Sequence, residues 1–387
     1  MRELNVALIG QAFMGKAHSH AWRNAGRFFD LPATPVLKVA VGRNQETLQA
    51  FAERWGWHET AADWRDVVQR DDIDVVDISV PTDLHAEIAI AAADAGKHVF
   101  CEKPIALTSD EARRMLAAAE RAGVVHYLNH NYRRAPAVML AKQLVDEGFV
   151  GRIFHWRGAY LQDWIVDPGF PLTWHLRREH AGAGPSFDLG SHNVDLARFL
   201  VGEITRVNAM TARFVEERPL PGAGAATFSA GSGGSGDTGT VTVEDAAFVL
   251  AEFDNGALGS IETSRFAPGR KNQHTFEIYG SEGSIAFDLE RMNELQVYSR
   301  RDPEHIQGFR TVIATEGVHP YVSAWWPPGH IIGYEHGFHH AVADFVRAVA
   351  EGAAIAPTFA DGLRETLVLE AALEAARSGQ RVEVETA

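Results

Sequence analysis

From Leu4 to about Leu128, short and almost continuously apolar runs alternate with Ala-rich stretches. The runs VALIG, LKVAV, VVDISV and HVFC predict strands, and the segments near Lys16–Asn24, Glu46–Arg54 and Leu84–Ala95 predict the helices between them. A strand that shows no polar alternation has to be covered on both faces, so this half reads as βαβ units around a parallel sheet. Beyond about His130 the pattern changes to longer strands rich in aromatics and Thr: RIFHWRGAYLQDW, RVNAMTARFV, AAFVLAEF, GSIETSRF and HTFEIYGSEGSIAF. The turn signals Asp254-Asn255-Gly256 and Gly280-Ser281-Glu282-Gly283 favour antiparallel pairing there. The expected architecture is therefore α/β over residues 1–128, followed by an α+β domain with a mostly antiparallel sheet over 129–387. Residues 221–239, PGAGAATFSAGSGGSGDTG, are too rich in Gly, Ser and Ala to pack well and predict a flexible surface loop.

A chain of 387 residues exceeds the size at which one core stops growing, which supports two domains. Composition narrows the function classes. With 46% hydrophobic and 22% charged residues the chain is globular, and a net charge of -15 works against binding nucleic acid or an anionic membrane. The opening MRELNVALIG carries no secretory pattern, and no apolar run approaches the ~18 residues needed to span a bilayer. The single cysteine, Cys101, can form neither an internal disulfide nor a thiolate metal site. A cytoplasmic location is expected.

The strand VALIG runs into Gly10-Gln11-Ala12-Phe13-Met14-Gly15 and then a helical pattern, the strand-turn-helix context of a dinucleotide fingerprint. Gly10 allows the tight turn, Gly15 allows close helix–strand packing, and Ala12 stands where the template has a second glycine. A pyrophosphate would sit on the helix N-terminus, where free N–H groups and the helix dipole favour anions. The next strand ends at Val41-Gly42-Arg43-Asn44, with no carboxylate for the ribose hydroxyls of NAD. Arg43 suits a 2′-phosphate or an adenine face, and equally a solvated loop, so NAD and NADP both stay open. The run HVFC leads to Glu102-Lys103-Pro104, in the crevice beyond the strand C-termini where open α/β sheets bind ligands. An ammonium there could act on a substrate hydroxyl.

In the second domain, FDLGSHNVDL precedes the mostly apolar run Ala197–Val201 and reads as a helix start. Asp188, His192 and Asp195 then fall on one helical face, and a carboxylate beside an imidazole makes a general base poised near neutral pH. A capping Asp and a core His would give the same spacing. The chain has 18 histidines, including His18-Ser19-His20 and His339-His340, but no H-E-x-x-H, so no metal site is expected.

Taken together, GQAFMGKAHS, CEKP, NYRRAPAV, YLQDW and DLGSHNVDLARFLVG resemble the Gfo/Idh/MocA oxidoreductase family over essentially the whole chain. NYRRAPAV, YLQDW and FADG are most similar to its branch of sugar, anhydrosugar (levoglucosan-like) and glycoside dehydrogenases. The resemblance implies a Rossmann domain, a second domain whose large open-faced sheet serves homodimer or homotetramer contacts, and NAD or NADP as cofactor, with NAD favoured by the branch. It implies that His192 accepts a ring-hydroxyl proton, Asp188 orients it, Lys103 supports the developing alkoxide, and hydride passes to the nicotinamide. It makes Tyr132, Tyr160, Gln162, Trp164 and Trp174 candidates for a sugar pocket, because aromatic faces and amide edges suit a ring with C–H faces and hydroxyl rims. Phe13, Met14, Thr82, His85 and Glu102 become cofactor candidates on the same ground. An inositol or other cyclitol dehydrogenase is the alternative enzyme, and a non-catalytic nicotinamide-dependent sensor the alternative class.

Overall fold

The computed structural model describes residues 2–221 and 236–386. The chain divides into two compact units: one holds the residues up to Ala135 with Tyr321–Leu363, the other Pro136–Pro320 with the residues from Arg364 on. A single division after residue 128 places the helix His336–Glu351 with the second domain, whereas its contacts group it with the first. Its apolar spacing is that of any amphipathic helix, so nothing local says which sheet it covers.

The first unit is a six-stranded parallel sheet in the order β3-β2-β1-β4-β5-β6, formed by Arg2–Ile9 (β1), Ala33–Val41 (β2), Glu59–Ala61 (β3), Val75–Ile78 (β4), His98–Cys101 (β5) and His126–Leu128 (β6). Every pairing in it is parallel. The helices are Phe13–Phe28 (α1), Gln45–Trp55 (α2), Trp64–Val68 (α3), His85–Asp94 (α4) and Ser109–Ala122 (α5). Local signals set their ends: the side chains of Asn44, Asp63 and Thr108 cap α2, α3 and α5, while Gly56 and Gly123 close α2 and α5 in the left-handed region. Leu4, Val6 and Leu8 join the core formed with α1, α2 and the helix His336–Glu351, around Trp22, Phe100, Tyr127 and Phe345. Ala7 and Ile9, facing the opposite way, are just as buried, which is why these strands read as unbroken apolar runs.

The second unit is a nine-stranded sheet in the order β16-β15-β14-β13-β7-β12-β11-β8-β17. Its strands are Ile153–Leu161 (β7), Ile204–Ala212 (β8), Ala246–Phe253 (β11), Leu258–Ser264 (β12), Gln273–Gly280 (β13), Gly283–Asp288 (β14), Glu294–Ser299 (β15), Arg310–Ile313 (β16) and Val382–Glu383 (β17). Both predicted turns make antiparallel hairpins, β11 to β12 and β13 to β14. The exception to antiparallel order is β7, which runs parallel to β12 in the middle of the sheet. On one face lie Pro185–Asp188, Gly190–Leu200 and the end of the helix Phe359–Ser378, where Gly190, Val194 and Leu369 meet Ala209, Ala247 and Ile261. The other face is open. The predicted flexible loop falls mostly on residues 222–235, outside the described residues, but its end is ordered: Thr238–Thr240 (β10) pairs antiparallel with Glu217–Pro219 (β9).

Candidate active site

In the first unit the fingerprint residues build a cradle at the end of β1. Gly10 has φ +114, and a Cβ there would lie 2.5 Å from the backbone oxygen of Ser79, so the turn admits only glycine. A Cβ on Gly15 would meet the Gly10 carbonyl, which is the close helix–strand approach expected of this position. Ala12, the N-cap of α1, is extended (φ -77, ψ -155), a conformation that needs no glycine. It offers no capping side chain, and no acid lies in the first turn, so the N-terminus of α1 keeps the character an anion requires. These features fit a dinucleotide pyrophosphate. Arg43 is exposed at the end of β2 beside the capped start of α2, with no carboxylate in the turn. Met14 is half-buried, and Phe13, half-exposed, stacks on Tyr334 at 6.1 Å between ring centroids. Tyr132 lies 6.3 Å from the same Tyr334 ring, so it belongs with the first unit's aromatic group.

Thr82 is buried in the turn after β4. His85, a cofactor candidate, has a ring 1% exposed, with Nδ1 3.0 Å from the Pro104 carbonyl and Nε2 2.9 Å from that of Val80. Burial holds His85 below the usual imidazole range, and a neutral ring carries one N–H, so it donates to only one of these two carbonyls. Glu102, another cofactor candidate, is also buried. Its Oε1 takes hydrogen bonds from His18 Nε2 (2.9 Å) and Asn129 Nδ2 (2.6 Å), and its Oε2 lies 3.3 Å from the backbone N of Lys103. His18 turns its other nitrogen, Nδ1, to Asp77 (2.8 Å), whose second oxygen accepts from Trp22 Nε1 (2.6 Å). Burial alone would lower His18, but Asp77 first and Glu102 after it override burial and raise it to about 10. The result is a buried imidazolium between two carboxylates. Lys103 follows directly, half-buried.

In the second unit His192 is 4% exposed on Gly190–Leu200, its ring 5.7 Å from that of Tyr160 and 6.0 Å from that of His274. Asp188 is not on that helix: it ends the short helix Pro185–Asp188, and Leu189, with right-handed helical backbone, joins the two. Its carboxylate pairs with Arg265, a guanidinium 1% exposed whose Cζ lies 5.1 Å over the Trp164 ring. Tyr160, Gln162 and Trp164 form one polar chain. Tyr160 Oη and Gln162 Nε2 donate to Asn272 Oδ1 (2.8 and 2.9 Å), and Trp164 Nε1 donates to Gln162 Oε1 (2.7 Å). Trp174 stacks on His175 at 3.7 Å, and Trp164 lies 5.7 Å from the same imidazole, which brings the two tryptophans to one place. The arrangement can take a proton at a sheltered imidazole and offer ring faces and amide edges to a polyol.

A family model described as an oxidoreductase family with an NAD-binding Rossmann fold matches residues 4–130, and one for the Gfo/Idh/MocA C-terminal domain matches residues 138–286. The chain belongs to the Gfo/Idh/MocA family. It is 46% identical to levoglucosan dehydrogenase of Pseudarthrobacter phenanthrenivorans, over 99% of both chains. Among solved structures, an oxidoreductase domain protein from Kribbella flavida superposes with a TM-score of 0.94 at 49% identity, and a levoglucosan dehydrogenase in complex with NADH and levoglucosan with 0.93 at 45%, each covering 100% of both chains.

For this Gfo/Idh/MocA chain, then, the NAD-binding Rossmann fold is established, and each unit holds residues that the sequence motifs do not mark. His18, set aside with the surplus histidines, is bound by two carboxylates. The signal was Asp77: an acid inside the apolar run VVDISV cannot be buried without a partner. Arg265, Asn272, His274 and Tyr334 gave no such signal, because their neighbours come from distant parts of the chain.

Proposed function

We propose that this chain oxidises a ring hydroxyl of a sugar, anhydrosugar or glycoside, with NAD as hydride acceptor. The observation that carries the reading is the sheltered His192 beside Tyr160, with the amide and indole chain of Asn272, Gln162 and Trp164 next to it. Bound NAD supplies a hydride acceptor at the nicotinamide. His192 takes the hydroxyl proton, and Asp188, fixed by Arg265, provides the nearby negative charge that favours the imidazolium so formed. Lys103 offers its ammonium to the developing alkoxide, and the carbinol leaves as a carbonyl after losing one proton and one hydride. Tyr160, Gln162, Trp164 and Trp174 hold the ring. The names and bound ligands of the relatives, levoglucosan above all, support an anhydrosugar as substrate.

The test follows reduced-nicotinamide absorbance across anhydrosugars, glycosides, aldoses and inositols with NAD and NADP. Turnover of an anhydrosugar with NAD is expected, with losses of orders of magnitude in His192→Ala and Lys103→Ala while NAD still binds. Activity confined to inositols would replace the substrate, and near-normal turnover in both variants would remove the mechanism.

The same reading includes a homo-oligomer formed on the open face of the nine-stranded sheet. Met210, Phe248, Leu250 and Leu258 are at least half exposed there, around a trough of about 470 Å³. Apolar surface gathered in this way marks an association site. Arg157, paired with Glu277 at 3.1 Å, and Glu262 line the same trough.

A further inference from the structure

We propose that His18 and Asp77 are positioning residues for the reaction, and that they act through Glu102 to hold the turn that carries Lys103. The proposal rests on the role given to Lys103 above. Its basis is geometric. Four elements separated in sequence send polar side chains to one buried point: α1 brings His18 and Trp22, β4 brings Asp77, Asn129 follows β6, and Glu102 follows β5. Trp22 Nε1 fixes Asp77, Asp77 fixes His18 Nδ1, and His18 Nε2 with Asn129 fixes one oxygen of Glu102. The other oxygen of Glu102 faces the backbone N–H of Lys103. On the far side of Lys103 the Pro104 carbonyl is met by His85. The peptide unit before Lys103 is thus held by a buried carboxylate, and His85 lies against the carbonyl of the next residue, Pro104.

Stability alone does not call for such a network. Three ionised groups inside an apolar sheet interior carry a heavy desolvation penalty, and well-packed hydrophobic residues of similar volume commonly serve as well or better. What charged groups offer, and apolar ones do not, is directional hydrogen bonding that selects a single arrangement of the turn. The charges reinforce it: burial would drive the Glu102 carboxyl up, but His18, Lys103 and Asn129 hold it below the usual range, so it remains the acceptor the turn needs. Lys103 follows a carboxylate clamped by an imidazolium and an amide, and its own N–H is clamped by that carboxylate.

The experiment is a double-mutant cycle on kcat with full-length protein, using His18→Gln, Lys103→Ala and the pair, with Asp77→Asn as a gentler second perturbation. NAD affinity and Tm are measured for every variant. His18→Gln is expected to lower kcat at least tenfold, keep NAD affinity within about threefold, and cause no further loss in the Lys103→Ala background; Asp77→Asn should give a smaller loss with the same non-additivity. Additive losses, or a fall in kcat that only tracks NAD affinity and Tm, would overturn the positioning role while the reading of Lys103 stands. Normal turnover in Lys103→Ala would overturn both. If His18→Gln does not fold, Asp77→Asn decides by the same comparison.

Discussion

Replacing Gly15 by alanine perturbs the cofactor cradle at one point whose consequence can be worked out. The new methyl would sit against the carbonyl oxygen of Gly10, well inside the 3.0 Å that real Cβ atoms keep from other heavy atoms. Both partners are backbone, one in the β1 turn and one in the first turn of α1, so no side-chain rotation relieves the clash. Helix α1 has to draw back from the turn by about half an ångström or more. Overpacking of this kind costs about 1–3 kcal/mol, which lowers Tm by roughly 2–12 °C for a unit of this size. The binding consequence is separate. The N–H groups that face a pyrophosphate belong to the displaced turn, and losing one charge-assisted hydrogen bond of about 1.5–3 kcal/mol weakens NAD roughly tenfold to a hundredfold. Calorimetric titration of NAD, with kcat at saturating cofactor, checks this: Kd should rise while kcat stays within about twofold. Ala12→Gly is the control, since its backbone needs no glycine, and it should leave Kd nearly unchanged. An unchanged Kd in Gly15→Ala would show that the helix does not hold the cofactor through this turn.

Four further expectations follow from particular groups. His339 and His340 are driven below the usual imidazole range chiefly by burial, to about 4 and about 3. Their folded-state values lie under the unfolded one, so their stabilising effect is complete above about pH 6.5 and is lost as pH falls through 6.5 toward 4 and 3, costing about 2 kcal/mol from His339 alone at about pH 5. Urea midpoints should fall between about pH 7 and 5 less steeply in His339→Gln than in the parent, and equal slopes would refute the assignment. His18 has the opposite sign: raised to about 10, it contributes stability below 6.5 that disappears as pH rises through 10, so His18→Gln should flatten the alkaline decline in Tm. Arg265→Met removes the buried partner of Asp188 and should cut kcat roughly ten- to a hundredfold with NAD affinity intact, whereas Arg265→Lys should recover part of it; full activity in Arg265→Met would free Asp188 from this dependence. Phe248→Asp with Leu250→Asp should shift the elution of the protein to a smaller species, and an unmoved peak would place the subunit interface elsewhere.

Much of the first unit could be read from its sequence because its determinants are local. Unbroken apolar strands, a glycine forced by φ +114 at Gly10, and caps at Asn44 and Thr108 each follow from residues a few positions apart. The missed features depend on distance along the chain. The helix His336–Glu351 returns to the first unit after a long excursion, and β7 pairs parallel with β12 across more than a hundred residues, neither of which any local pattern encodes. Asp188 and His192 keep their spacing of four but not a single helix, because Leu189 separates the short helix that ends at Asp188 from the one that begins at Gly190. The loop expected over 221–239 ends early because Thr238–Thr240 finds a partner strand that composition does not reveal.

Buried charge shows most clearly what a sequence can disclose. Asp77 sits in VVDISV, and β4 is covered on both faces, so its carboxylate must meet either a cation or several donors. That much is legible, and it predicts a partner without naming one. Naming it requires the fold, because His18 is 59 residues away and Glu102 a further step on, 84 from His18. The two carboxylates could not share the interior without the imidazolium between them, since like charges brought together in a poorly solvated site force one to take up a proton. An uncharged side chain at position 18 would therefore change more than one hydrogen bond: Asp77 and Glu102 would lose the donor that they share, and the acceptor presented to Lys103 would lose its fixed orientation. The turn that carries Lys103 depends in this way on a residue of the cofactor-binding helix, so a substitution in α1 is expected to change turnover without touching any atom of the substrate.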